Sequence, residues 1–204
     1  MNTKNTILIL FSHPSPDTSE VNISLFKSAQ DIEGITCIDL YADYPKYNIN
    51  VQKEQQRLLE HHIIIFLFPL YWYSTPALLK DWMDLVLEYG FAYGKDGNAL
   101  RNKYFLPVIS AGAIESAYQN DGFNHFPLRD ILRPIEQMAV FCQMKFIAPF
   151  VLFSARTARE ENRLIFHLQQ WKKLLTAMLA HQFDFEKAQA VELLAHHLDE
   201  LIVK

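Results

Sequence analysis

Short apolar runs alternate along this chain with longer segments of mixed polarity. Residues 6–11 form a continuous run of strand length. Such a run suits a parallel strand buried on both faces. Residues 19–30 follow, with Val21, Ile23, Leu25, Phe26 and Ala29 nearer to helical spacing, and Gly34 closes that helix. Residues 35–40 read as a second strand. Residues 50–61 read as a polar helix with Asn50 as its cap and Glu54 three residues past Val51. The β-branched and aromatic run 63–68 is the best central strand. A helix opens at Thr75-Pro76, where proline occupies a first-turn position whose N–H needs no partner, and Gly90 stops it. Residues 104–110 read as a fourth strand and 127–143 as a helix broken or shifted near Pro134. A fifth strand over 145–153 and a long closing helix over 157–181 complete the series.

Five β–α units in succession predict an α/β fold. The sheet is five-stranded, parallel and doubly wound, with right-handed crossovers and helices on both faces. Residues 1–183 make up this domain. Residues 184–204 read as an added amphipathic helix with no evident role in a site. Neither an internal repeat nor a Gly/Ser linker is visible.

Composition narrows the function classes. The chain has 204 residues, suited to one domain, and half of them are hydrophobic. With 21% charged residues of both signs and a net charge of −4, there is no basic cluster and no case for nucleic-acid binding. The longest apolar run, 63–73, is well short of the ~20 residues of a spanning helix. The start Met1-Asn2-Thr3-Lys4-Asn5 has no long apolar region and no cleavage site, so secretion is not expected. Cys37 and Cys142 lie far apart and read as buried free thiols. The adjacent pairs His61-His62 and His196-His197 diverge on a helix, and no metal site is expected.

In a sheet of this kind ligands bind beyond the carboxyl ends of the strands. The unusual residues cluster there. After the first strand, residues 12–22 (Ser-His-Pro-Ser-Pro-Asp-Thr-Ser-Glu-Val-Asn) open a helix whose backbone N–H groups favour phosphate. His13, Ser19 and Asn22 add side-chain donors, with Glu20 and Val21 between them. An ordinary helix cap at Ser19 explains the same residues. The loop has neither G-x-G-x-x-G nor a P-loop, which disfavours a dinucleotide Rossmann site and an NTPase. After the third strand, Pro69-Leu70-Tyr71-Trp72-Tyr73 places three aromatics in a row. They cannot all enter one core, so they wall a planar ligand or cap an interface. After the fourth strand, Ser110-Ala111-Gly112-Ala113 lets backbone approach a ring closely, or is simply a turn. Tyr118 and His125 lie downstream. Phe91 and Tyr93, flanked by glycines, suit a second wall contributed to a partner subunit.

These residues carry a resemblance. His13-Pro14 with Ser19 and Asn22, the block from Pro69 to Lys80, and Gly90-Phe91-Ala92-Tyr93-Gly94 with Leu100 and Lys103 resemble the NAD(P)H-quinone oxidoreductases of flavodoxin-like fold. The likeness is greatest to the bacterial ancillary proteins of glutathione-regulated potassium-efflux systems. It runs from about residue 6 to 180 and is most specific around Trp72 and Lys80. The resemblance implies bound FMN or FAD and NAD(P)H as electron donor. It also implies a quinone or similar small molecule as acceptor, with nicotinamide and quinone using one place in turn. His13, Ser19 and Asn22 match the flavin-phosphate loop, and Leu70 to Tyr73 match the segment beside the isoalloxazine. Ser110 to Ala113 match a turn that usually reads Thr-Thr-Gly-Gly, so one hydroxyl and one glycine are lost here. Tyr118 falls where the quinone reductases have a tyrosine. Their histidine falls at Asn124, one residue before His125.

The resemblance further implies a homodimer in the cytoplasm, peripheral to the inner face of the membrane when docked on a potassium-efflux transporter. A regulatory subunit with little or no enzyme activity is therefore a second reading. A flavin-free structural relative, motivated by the altered turn, is a third.

Overall fold

A computed structural model describes residues 4–203. Met1, Asn2 and Thr3 of the segment read above as lacking a leader, and Lys204 of the C-terminal extension, lie outside the described residues. In chain order the elements are β1 (Ile7–Phe11), α1 (Val21–Ala29), β2 (Ile35–Asp39), α2 (Leu40–Asp43), α3 (Val51–Glu60), β3 (Ile63–Pro69), α4 (Ala77–Val86), β4 (Tyr104–Ser110), α5 (Leu128–Ile131), α6 (Arg133–Phe141), β5 (Lys145–Phe146), β6 (Phe150–Leu152), α7 (Arg163–Leu179), α8 (Phe185–Ala190) and α9 (Leu194–Leu201).

The strands run in the order β2-β1-β3-β4-β5, with β6 also beside β4, and every pairing is parallel. Side chains of a strand alternate between faces. Ile7, Ile9 and Phe11 therefore join α1 and α7 around Trp171, while Leu8 and Leu10 join α3 and α4 around Trp82. The runs of β1, β3, β4 and β6 are buried for this reason, since both faces are covered, whereas β2, at the edge of the sheet, is half-buried throughout.

Four details differ from the sequence reading. The fifth strand is split into β5 and β6. At the break the Ala148 N–H donates to the Ala188 carbonyl (3.0 Å), and the Pro149 carbonyl accepts from Leu194 N–H (3.0 Å). Proline has no N–H to give the ladder, and the C-terminal segment takes up the groups freed there. That segment forms two short helices, α8 and α9, rather than one. Ala188, Leu194, Leu198 and Leu201 bury it in the α7 side of the core. The closing helix begins at Arg163 instead of 157. Residues 154–162 are a loop, with Ser154 (φ 48°) and Asn162 (φ 57°) in the left-handed region. Finally, α2 went unread in the sequence: Asp39 Oδ1 accepts from the N–H groups of Tyr41 (3.0 Å) and Ala42 (3.2 Å) and nucleates it.

Asn50 caps α3 as expected, accepting from Lys53 N–H at 3.0 Å. Glu54, in the next turn, is fully buried. Its carboxylate accepts from Tyr44 Oη (2.5 Å), Arg57 Nη1 (2.5 Å) and Trp82 Nε1 (3.0 Å), tying α3 to α4.

Candidate functional site

The chain reverses its direction of winding between β1 and β3, the place where such sheets bind ligands. The loops after β1, β3, β4 and β6 meet there around a cleft of about 790 Å³, well within the ~300–1,000 Å³ of small-molecule sites. The first loop contributes His13, Thr18, Ser19, Glu20 and Val21. The second contributes Pro69, Leu70, Tyr71 and Trp72. Ser110 and Gly112 come from the third, and Ala155 and Arg156 from the fourth.

His13 is buried, and burial holds its ring below the ordinary pKa. Its Nδ1 accepts the Ser15 N–H at 3.1 Å. The neutral ring therefore carries its proton on Nε2, which donates to Tyr71 Oη at 3.2 Å. The Tyr71 hydroxyl hydrogen is left free to donate into the cleft. Ser19 Oγ accepts from Ile23 N–H at 3.3 Å, so the capping role and a place on the cleft wall coexist in one residue.

The aromatic trio owes its exposure to a strained turn. Trp72 (φ 47°) and Tyr73 (φ 63°) are both left-handed, between the bridged residues Tyr71 and Ser74. Asn-Gly normally fills such positions, and bulky residues there cost ~1–3 kcal/mol each. The turn leaves Trp72 93% exposed beside the cleft.

In the segment after β1, polar atoms are buried without a protein partner: Ser12 Oγ and both amide atoms of Asn22. Leaving such groups unpaired costs ~1–3 kcal/mol each, so a polar ligand or water close to them is favoured. In the β4 loop the Ala111 N–H is committed to the Leu152 carbonyl (2.9 Å) and the Ala113 carbonyl to Ser154 N–H (2.9 Å). Among the described residues Gly112 N–H has no protein partner. No protein atom lies within 4 Å of the position a Gly112 Cβ would take. These features fit a planar flavin with a phosphate tail: an aromatic wall, an unspent N–H at a residue without a side chain, and a loop opening a helix. Replacing Gly112 with valine is expected to lower flavin affinity about tenfold or more by filling that space, while thermal unfolding stays unchanged. A flavin titration of the variant checks this.

The other candidate residues lie elsewhere. Asn22 is buried behind the cleft, and Ala111 is turned into the core. Ala113 packs against the same core as a partly buried residue. Tyr118 is buried against Phe153 (5.4 Å between ring centroids). Burial raises its pKa, and Tyr73 adds to the rise. It lines a neighbouring cleft with Arg129 and His196. His125 is exposed (φ 62°) and shares a third cleft with Tyr73 and Asn124, where Tyr73 Oη donates to Asn124 Oδ1 at 3.0 Å. Neither Tyr118 nor His125 lines the His13–Gly112 cleft. Phe91 packs on the α4 side of the core, and Tyr93 faces Phe141 near Lys80. Lys80 pairs with Asp84 (2.5 Å) on the α4 surface. Lys103 Nζ donates to the carbonyls of His61 (2.6 Å) and Leu59 (3.2 Å), a structural tie at the end of α3.

Ala155 and Arg156 were missed by the sequence reading, because their loop follows a strand read as one piece and runs into an overlong helix. The recurrence of Arg156 and Arg159 directly after a strand end was the available signal. Both cysteines are free, Cys142 buried and Cys37 half-buried. Burial pushes their thiols up to about 11 and about 12. No group of metal-binding side chains occurs among the described residues.

Comparison with known proteins agrees with this geometry. The family described as flavodoxin-like fold matches residues 5–175. The glutathione-regulated potassium-efflux system ancillary protein KefG of Serratia proteamaculans (strain 568) is 46% identical over 155 residues, 76% of this chain and 85% of that protein. The crystal structure of general stress protein 14 from Treponema denticola, in complex with FMN, is 33% identical with a TM-score of 0.79, covering 85% of this chain and 99% of that one. An NADPH-quinone reductase structure from P. pentosaceus is 31% identical with a TM-score of 0.69, covering 81% and 96%.

Proposed function

The chain belongs to the flavodoxin-like fold family, and from that premise we propose that it is a flavin-dependent oxidoreductase, taking hydride from NAD(P)H and passing electrons to a quinone-like acceptor. The observation that carries this reading is the cleft at the β1/β3 switch point, with its Tyr71 donor, its exposed Trp72 wall and its open Gly112. The FMN complex and the NADPH-quinone reductase among its structural neighbours support it.

When bound, FMN or FAD supplies acceptance of two electrons from a nicotinamide and their return to a second molecule at the same place. The chain's own residues bind and orient. The loop from His13 to Val21 presents N–H groups at the start of α1 for a phosphate. Leu70, Tyr71 and Trp72 wall the ring system. The Gly112 N–H would meet negative charge on it. Tyr118 and His125 are proposed for the acceptor side, away from the cleft wall. Phe91 and Tyr93 are proposed as the wall lent to a second copy in a homodimer.

The test is the visible spectrum of the purified protein before and after NADPH, with menadione as acceptor. Flavin bands that bleach with NADPH and recover with menadione support the reading. A colourless protein that stays inert after incubation with FMN and FAD removes it.

The relationship to KefG favours a second reading, a regulatory subunit docked on a potassium-efflux transporter from the cytoplasmic side. No helix among the described residues is long and apolar enough to cross a membrane. Copurification with membranes carrying the transporter, lost when the transporter is deleted, supports this role.

A further inference from the structure

The loop proposed to hold the flavin phosphate is short of positive charge. Residues 12–20 contain no lysine or arginine, and they include Asp17 and Glu20. His13 is neutral near pH 7, since burial lowers its pKa. A phosphate dianion set against N–H groups and the Glu20 carboxylate, which lines the cleft, needs a cation from another element. Arg159 reaches Glu20 at 3.8 Å and offsets that one carboxylate.

Arg156 is the cation left over. It lines the same cleft as Thr18, Ser19 and Val21. Among the described residues it makes no ion pair and no hydrogen bond within the protein. The start of its loop is fixed. Ser154 N–H donates to the Ala113 carbonyl (2.9 Å) and Ala155 N–H to the Ala111 carbonyl (3.0 Å). The Arg163 guanidinium donates to the carbonyls of Phe153 (2.8 Å) and Ser154 (2.9 Å). The fold thus anchors the base of Arg156 to the β4 loop and leaves its guanidinium unpaired at the cleft. Glu160 and Glu161 of the same loop are not part of the cleft wall, and Arg163 binds Glu161 at 2.7 Å.

We propose that Arg156 is the countercharge for the flavin's phosphate, closing that end of the cleft from the β6 side. This rests on the flavin reading above. A guanidinium fork matches a phosphate monoester in a two-pronged contact that a lysine does not reproduce. The same chemistry is offered by a phosphate of the nicotinamide donor. The flavin is favoured because Arg156 faces the residues that open α1, where N–H groups and the helix dipole already favour a phosphate.

The experiment uses purified full-length protein stripped of flavin and titrated with FMN and with riboflavin, which lacks the phosphate, following flavin fluorescence. Arg156→Gln is expected to weaken FMN about 10- to 100-fold and to leave riboflavin unchanged, with Arg156→Lys between the two for FMN. Salt is expected to weaken FMN binding less in Arg156→Gln than in the wild type. Equal loss for both flavins would overturn the assignment, as would unchanged FMN affinity. Unchanged FMN affinity with a higher KM for NADPH than for NADH would assign Arg156 to the donor instead. Arg156 is exposed, and its loop is held by other groups, so the variant folds. Wild-type protein that binds neither flavin removes the underlying flavin reading, an outcome separate from any effect of the variant.

Discussion

Glu54→Ala is expected to destabilise the protein by about 3–5 kcal/mol, the cost of breaking a buried ion pair from one side. Glu54 is fully buried and satisfies three donors from two helices and the segment between α2 and α3. Its removal leaves the Trp82 indole N–H, itself fully buried, without an acceptor. Arg57 keeps only Asp43, at 3.0 Å. Glu54→Gln retains one acceptor oxygen and should fall between the two. Urea unfolding read by Trp fluorescence measures this, with the midpoint falling and the slope unchanged. The exposed Lys80–Asp84 pair provides the contrast: Lys80→Ala is expected to cost no more than about 0.5 kcal/mol. A Glu54→Ala variant as stable as Lys80→Ala would show that the network does not stabilise the fold.

The second large effect depends on pH. His167 is buried on α7, stacked on Phe150 at 4.3 Å, and its Nε2 has no partner. Burial lowers its pKa from 6.5 to about 4. The folded value lies below the unfolded one, so the neutral ring's stability is fully present above pH 6.5 and is lost as pH falls towards 4. Linkage puts the loss from this one ring at about 2 kcal/mol between pH 7 and pH 5, and about 3 kcal/mol by pH 4. His167→Phe keeps a ring against Phe150 and has nothing to protonate. The stability difference between variant and wild type should shift in the variant's favour by those amounts as pH is lowered. Urea unfolding of both proteins at pH 7 and pH 5 checks it. Parallel losses in the two proteins would mean that His167 accepts its proton without penalty.

The strand runs and the helix faces were readable because both are periodic and local. Ile63 to Phe68 contains nothing but β-branched, leucine and aromatic residues, and its short length with that enrichment marks a strand covered on both faces. The cap at Asn50 was readable for a similar reason, since side chain and N–H are three residues apart. The site was readable in outline, because the sheet's topology places strand ends together and the unusual residues follow strand ends. His13, Ser19, Tyr71, Trp72 and Gly112 do converge on one cleft.

What the sequence alone determined is therefore the alternation of elements, the sheet class built from it, and the set of loops that share one end of the sheet. Tertiary structure decided which members of those loops line the cleft. Ala111 and Asn22 turn inward while their neighbours line the cleft, and Tyr118 and His125 occupy other clefts. It also brought Arg156 to the cleft that Ser19 and Val21 line. The break at Pro149, filled by Ala188 and Leu194, and the burial of Glu54 against Trp82 were likewise decided there. Each of these is a contact between distant residues, with no period or spacing along the chain to announce it. Only the packing of one layer on another fixes which side chain meets which.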